Sequence, residues 1–183
     1  MQAQPAATEA DLLAKAAAGN AAAVRALLDD YGAALNGFLY ARVGGHTTVA
    51  EDLLQETFIE AVKSAATFRG ESSLKTWLCA IARRRLARHY EAERRAALAR
   101  VGLTIVADVA ADDGNADVDR RDEVTRALGA LPPLHRQVLV LKYLDDRSVE
   151  EIADELGRTR VQVQSLLQRA RAGLRQELGE GDD

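Results

Sequence analysis

Apolar residues recur three and four positions apart through most of this 183-residue chain, a spacing that predicts helices rather than strands. Thr8 is placed to cap a short helix running to Gly19, and Asn20 to cap a second through Val43. The second helix has Val24, Leu27, Leu28, Tyr31, Leu35, Phe38 and Leu39 at core spacing, and Gly44-Gly45 ends it. Thr48 and Glu51 form a capping-box pattern that starts a third helix through about Ala66. Leu53, Leu54, Phe58, Ile59 and Val62 make its apolar face, while Glu51, Asp52, Gln55, Glu56 and Glu60 make an acidic stripe. Residues 67–73, TFRGESS, predict a loop, and Ser73 caps a long fourth helix with Leu74, Trp77, Leu78, Ile81 and Leu86 inward. Basic residues surround that core face: Lys75, Arg83, Arg84, Arg85, Arg88, Arg94 and Arg95.

The pattern then breaks. Residues 101–121 are small, acidic and poor in large apolar groups, which predicts a flexible linker. A brief patch at Leu103, Ile105 and Val106 is the exception, placed to dock on a neighbour. Helical spacing resumes from about Asp122 to Gly129. Pro132-Pro133 opens the helix LHRQVLVLKYL, and Asp145-Asp146 forms a turn.

Residues 148–175 carry the most specific pattern. Ser148 and Glu151 form one capping box, and Thr159 and Gln162 another. Between them Ile152, Ala153 and Leu156 predict a buried stripe that Gly157 stops. Val163, Leu166, Leu167, Ala170 and Leu174 supply the stripe of the second helix. Two helices joined by a short glycine-containing turn make a helix-turn-helix. From Arg158 to Arg175 there are five arginines and no acidic residue. Arg and Gln side chains form paired hydrogen bonds to guanine and adenine edges, so this helix predicts DNA binding.

Composition narrows the alternatives. The formal net charge is −4, so the basic residues are clustered rather than spread. One cysteine, Cys79, excludes an internal disulfide and a multi-cysteine zinc site, and three scattered histidines imply no metal cluster. No cofactor is expected. No apolar run approaches membrane-spanning length and no signal-peptide pattern is present, so a soluble, cytoplasmic protein without membrane insertion is expected. The expected fold is all-α: two small helical domains at 8–100 and 122–178, joined by the acidic linker 101–121 and flanked by tails 1–7 and 179–183.

The segments EDLLQETFIEAV, WLCAIARRR and LPPLHRQVLVLKYLDDRSVEEIADELG, in this order across an acidic linker, resemble bacterial RNA polymerase sigma factors of the sigma-70 family. The lack of further domains resembles the extracytoplasmic-function (ECF) group. The resemblance implies a region 2 bundle, a region 4 helix-turn-helix, and core RNA polymerase and promoter DNA as partners, with an anti-sigma factor as a regulator. By resemblance, Asp52, Gln55, Glu56 and Phe58 dock on the polymerase clamp. Ser72, Ser73, Lys75, Trp77, Arg83, Arg84 and Arg88 fall in the segment that opens the minus-ten element and captures a flipped base, with Trp77 as a packing anchor. Arg158, Thr159, Arg160, Gln162, Gln164, Ser165, Gln168, Arg169 and Arg171 fall on the reader of the minus-thirty-five element. Five positions depart from the family's common residues: Arg84, Val161, Gln162, Gln164 and Leu166. They imply an altered base preference or fewer phosphate contacts.

Three other readings were open on sequence. A stand-alone helix-turn-helix regulator would share the C-terminal half but has no reason to keep the acidic-then-basic order of residues 51–95. An enzyme is unsupported, since no nucleophile–base pair or phosphate loop is present. A polymerase-binding protein without promoter activity is the third, suggested by Arg84 and Leu166.

Overall fold

The computed structural model describes residues 6–100 and 116–179, with side chains over 8–99 and 122–179. Every regular element among them is helical. The elements are α1 (Ala6–Ala17), α2 (Ala21–Arg42), α3 (Thr47–Lys63), α4 (Leu74–Arg100), α5 (Ala116–Ala130), α6 (Pro133–Leu139), α7 (Val149–Leu156) and α8 (Arg160–Glu177). A 3₁₀ turn, Ala65–Thr67, follows α3, and α6 continues as a π-helical turn, Val140–Leu144. The patch at Leu103, Ile105 and Val106 and most of the 101–121 segment lie outside the described residues.

The chain divides into two compact units. The first holds the described residues through Tyr40 together with Thr47–Arg88; the second holds Ala41–His46 with the described residues from His89 onward. Residues 41–46 and 89–99, expected with the N-terminal domain, therefore pack with the C-terminal helices.

In the first unit the core gathers Leu13, Leu27, Tyr31, Leu35, Ala61, Phe68, Leu74, Leu78 and Ile81. Asn20 caps α2 as expected, its Oδ1 accepting from the Ala23 amide at 3.0 Å. Ser73 caps α4, its Oγ accepting from the Thr76 amide at 3.2 Å. The other two expected caps fall differently. Thr8 lies inside the first turn of α1, and α3 starts at Thr47, so Thr48 is already helical. The neighbouring Glu9 has the larger role. Its Oε1 accepts from the Tyr31 hydroxyl at 3.1 Å and its Oε2 from the Leu74 amide at 2.9 Å. A carboxylate at the first turn of α4 satisfies a helix-end donor and favours the positive end of the helix dipole. Burial and that hydrogen bond raise the Tyr31 hydroxyl to about 12.

Leu28 and Ile59 were expected in the core and are 45% and 53% exposed. Each lies off its helix's buried line, which runs through Leu27, Tyr31 and Leu35 in α2 and through Ala50, Leu53, Thr57 and Ala61 in α3.

In the second unit Leu128, Leu131, Val138, Leu139, Ile152, Leu156, Val163, Leu166, Leu167 and Ala170 form the core. Leu166, 4% exposed, is committed to it, so that position makes no phosphate contact. α5 begins six residues before the expected Asp122. The π-helical turn ends in Asp145, which a straight helical reading of LHRQVLVLKYL does not foresee. Its carboxylate, 6% exposed, accepts from Arg42 at 2.8 Å. Arg136, 3% exposed, holds both oxygens of Glu93 at 2.7 Å, and the Tyr90 hydroxyl donates to the Arg42 carbonyl at 2.6 Å. These bonds tie residues 42–46 and 89–93 to α6 and the turn after it. At Gly129 a Cβ would fall 2.3 Å from the Gly44 carbonyl oxygen, so only glycine permits that approach.

Candidate nucleic-acid interface

The helix-turn-helix forms as the capping pattern predicts. At α7 the Ser148 hydroxyl accepts from the Glu151 amide at 3.1 Å, and the Glu151 carboxylate accepts from the Ser148 amide at 2.8 Å. Those amide and hydroxyl bonds hold the Glu151 carboxyl below its ordinary range. At α8 Thr159 and Gln162 exchange the same two bonds, at 3.3 and 2.9 Å. Between the helices Gly157 takes a left-handed φ of 60°, the conformation a helix end favours glycine for.

With Val163, Leu166, Leu167 and Ala170 inward, α8 exposes every position expected to touch DNA. Arg158, Thr159, Arg160, Gln162, Gln164, Ser165, Gln168, Arg169 and Arg171 are all exposed, and so is Val161. They are not equally available. Arg160 pairs with Glu150 of α7 at 2.7 Å, a partner the single-sign stretch 158–175 did not reveal. Gln162 spends its carbonyl oxygen on the helix cap. The Nε atoms of Arg169 and Arg171 donate to the Ser165 and Leu167 carbonyls at 3.4 and 3.2 Å, aligning both side chains along the helix.

A second surface surrounds the loop before α4. A cavity of about 420 Å³ is lined by Thr67, Phe68, Arg69, Glu71, Ser72 and Trp77. Trp77 is partly buried and meets Phe68 at a centroid distance of 5.4 Å, tilted by 57°. That contact fits the packing role expected of it. Ser72, Ser73, Lys75, Arg83, Arg84 and Arg88 are exposed along the loop and α4. Phe68 and Arg69, missed on sequence, bring an aromatic edge and a cation to the cavity wall. The cavity wall thus combines two packed rings with a cation, Arg69, and a carboxylate, Glu71.

The third surface is the outer face of α3. Asp52, Gln55 and Glu56 are exposed, whereas Phe58 is partly buried against the core of its unit. Ile59 stands among the three polar residues, on the side of the helix opposite Thr57. The acidic residues of this face would repel DNA phosphates, so it is not a DNA-facing surface. Arg85 of α4 reaches this face, bonding Glu60 at 2.7 Å and lying 3.5 Å from Glu56.

Among the described residues no three His, Cys, Asp or Glu gather as metal ligands, and no helix is long and apolar enough to cross a membrane.

Residues 27–96 match the family model "Sigma-70 region 2" and residues 121–174 match "Sigma-70, region 4". The chain is 31% identical over 137 residues to RNA polymerase sigma factor YlaC of Bacillus subtilis (strain 168), covering 73% of this chain and 79% of that one. It is 35% identical over 176 residues to ECF RNA polymerase sigma factor SigL of Mycobacterium tuberculosis (strain ATCC 35801 / TMC 107 / Erdman), covering 90% and 95%. With ECF RNA polymerase sigma factor BldN of Streptomyces coelicolor (strain ATCC BAA-471 / A3(2) / M145) it shares 30% over 170 residues, covering 87% of this chain and 62% of that one.

Proposed function

This chain belongs to the ECF group of the sigma-70 family of RNA polymerase sigma factors, and we propose that it binds core RNA polymerase in the cytoplasm and directs initiation at a specific set of promoters. As a transcription-initiation factor it is not an enzyme. One observation carries the reading. A helix-turn-helix with an exposed polar face follows, in the same chain, a helix pair with an acidic outer face and a cavity lined by Phe68, Arg69 and Trp77. A stand-alone regulator needs only the first of these.

We assign 8–100 to polymerase binding and minus-ten opening, 122–178 to minus-thirty-five binding, and 101–121 to the connection between them. On α3, Asp52, Gln55 and Glu56 meet the polymerase with Ile59 as the apolar anchor, while Phe58 supports the helix from within. Ser72, Ser73, Lys75, Arg83, Arg84 and Arg88 face the opened strand, with Trp77 bracing the cavity wall. Melting costs about 1.4 kcal/mol of stacking per base-pair step. A chain this small offsets that only through contacts to the single strand while a larger partner holds the duplex. Two DNA-contacting segments on one chain also raise each other's effective concentration once both sit on polymerase. An anti-sigma factor that covers the α3 or α8 face would switch the activity off.

Run-off transcription with core polymerase on a random promoter library tests this directly. The expected result is a restricted promoter set with paired minus-ten and minus-thirty-five elements. Replacing Gln55 and Glu56 together by alanine should remove co-purification with core polymerase and leave the helical circular-dichroism signal unchanged. Retained co-purification would refute the α3 assignment.

A further inference from the structure

The proposed function leaves open which base pairs α8 reads, and the geometry of its exposed face narrows the answer. Val163, Leu166, Leu167 and Ala170 define the buried line of the helix. At 100° per residue, the positions diametrically opposite are Val161, Ser165, Gln168 and Ala172, spaced i, i+4, i+7 and i+11. All four are exposed, and none is charged. The arginines stand to either side: Arg160, Arg171 and Arg175 on one flank, Arg169 on the other. Residues farthest from the domain core reach deepest into a major groove, and flanking cations meet the phosphates on its walls.

Val161 is the unexpected member. A valine 73% exposed in the first turn of a soluble helix gains nothing from burial in its own domain. Its polar neighbours are engaged: Arg160 is held by Glu150 and Gln162 by the Thr159 amide. Guanine is most often read by a two-pronged arginine or lysine, and this row contains neither. What it presents is a branched apolar side chain, a hydroxyl and a primary amide. These suit the thymine methyl group and the paired N6 and N7 atoms of adenine.

We propose that Val161, Ser165 and Gln168 are the base-reading residues of α8 and that they select A·T pairs, Val161 packing on a thymine methyl and Gln168 pairing with an adenine edge. This deepens the proposed function and rests on it. Val161 and Gln168 are seven residues apart, about 10 Å along the helix axis, so the two selected pairs lie within about three base-pair steps.

The test uses the assembled holoenzyme and a promoter library randomised over the minus-thirty-five element. The wild type should enrich A·T pairs at two positions within that span. Gln168→Ala should lower the preference for adenine at one of them by about 5- to 150-fold. Deoxyuridine in place of thymidine at the other removes only the methyl group. It should weaken the wild type about 4-fold, as one lost methyl predicts, and leave Val161→Ala unaffected. Guanine enrichment at both positions would overturn the proposal. So would Val161→Ala and Gln168→Ala lowering initiation equally at all promoters with the base profile unchanged. In either case promoter selection itself, and with it the proposed function, would survive. A wild-type holoenzyme that starts transcripts nowhere would remove both. Both side chains point away from the core, so the variants should retain wild-type circular dichroism and thermal midpoint.

Discussion

Helices α4 and α8 both carry clustered arginines, and the fold uses them in opposite ways. On α4 some of the charges are drawn onto neighbouring helices. Arg85 pairs with Glu60 and Glu56 of α3, Arg83 lies 5.3 Å from the centre of the Phe38 ring, and Glu93 is gripped by Arg136. On α8 the inward face is entirely apolar, and only Arg160 has a carboxylate partner among the described residues. A basic stretch of sequence thus stays outward on one helix, while on the other Arg85 is tied to a neighbouring helix and Arg84 and Arg88 stay exposed. Whether acids lie across from it decides which. Changes at Arg85 and Glu93 of α4 should therefore register first in stability, and changes on the outer face of α8 in promoter choice.

The largest expected effect tests the α4 carboxylate Glu93 through its partner on α6. Arg136→Met removes a cation that is 3% exposed and leaves the Glu93 carboxylate, 26% exposed, without it. Breaking a buried pair from one side costs about 3–5 kcal/mol, and the partial exposure of Glu93 places this case near the lower figure. Urea unfolding should show the loss, and adding Glu93→Leu should recover most of it. If the double variant is no more stable than the single one, the pair does not act as a unit.

Next in size is Glu9→Ala. It strips the first turn of α4 of its long-range cap and leaves the Tyr31 hydroxyl without its acceptor. Leaving a buried donor unsatisfied costs about 1–3 kcal/mol. The Tyr31 hydroxyl, raised to about 12 by burial and then by Glu9, should titrate lower in the variant. Ultraviolet titration of the tyrosines reads that shift independently of stability.

Smaller again is Arg160→Ala. Its pair with Glu150 is 65% and 54% exposed, and such pairs contribute at most about 1 kcal/mol. Thermal melting should barely change. Binding by the holoenzyme should fall by a similar factor on all promoters, because Arg160 lies on the flank of α8 rather than in its reading row. A loss confined to one base position would move Arg160 into that row and blur the contrast between row and flank.

The same contrast explains what was legible in the sequence. The helix-turn-helix was readable because all its signals are local. Ser148 and Glu151 act across three residues, as do Thr159 and Gln162, Gly157 ends the helix between them, and the structure places each in its expected capping role. Glu9, Arg42 and Asp145 were not readable. Glu9 acts on a helix 65 residues away and Arg42 on a carboxylate 103 residues away, and no periodicity encodes such pairs. Ile59 was misassigned for a related reason. An apolar residue next to Phe58 looks like core until the buried line through Thr57 and Ala61 fixes which way the helix faces.

The least disruptive test is pH, and it compares the buried charges with the α8 surface in one experiment. His46 is held below its ordinary range, first by burial and then by the nearby Arg136 guanidinium, with His89 acting in the same direction and Glu93 against it. His135 is lowered by burial and then by Arg169 of α8. In both cases the unfolded chain takes up a proton at a higher pH than the folded one. Just below the unfolded value of about 6.5 the unfolded state therefore binds more protons, and stability falls as pH falls. Unfolding midpoints measured from pH 7.5 down to 6.0 should decline. His46→Gln and His135→Gln should each flatten the slope. If Arg136→Met flattens it as well, the His46 contribution runs through the buried arginine. If His135→Gln flattens it while Arg169→Ala does not, burial alone holds His135 neutral, and the α8 arginines remain directed at solvent and DNA.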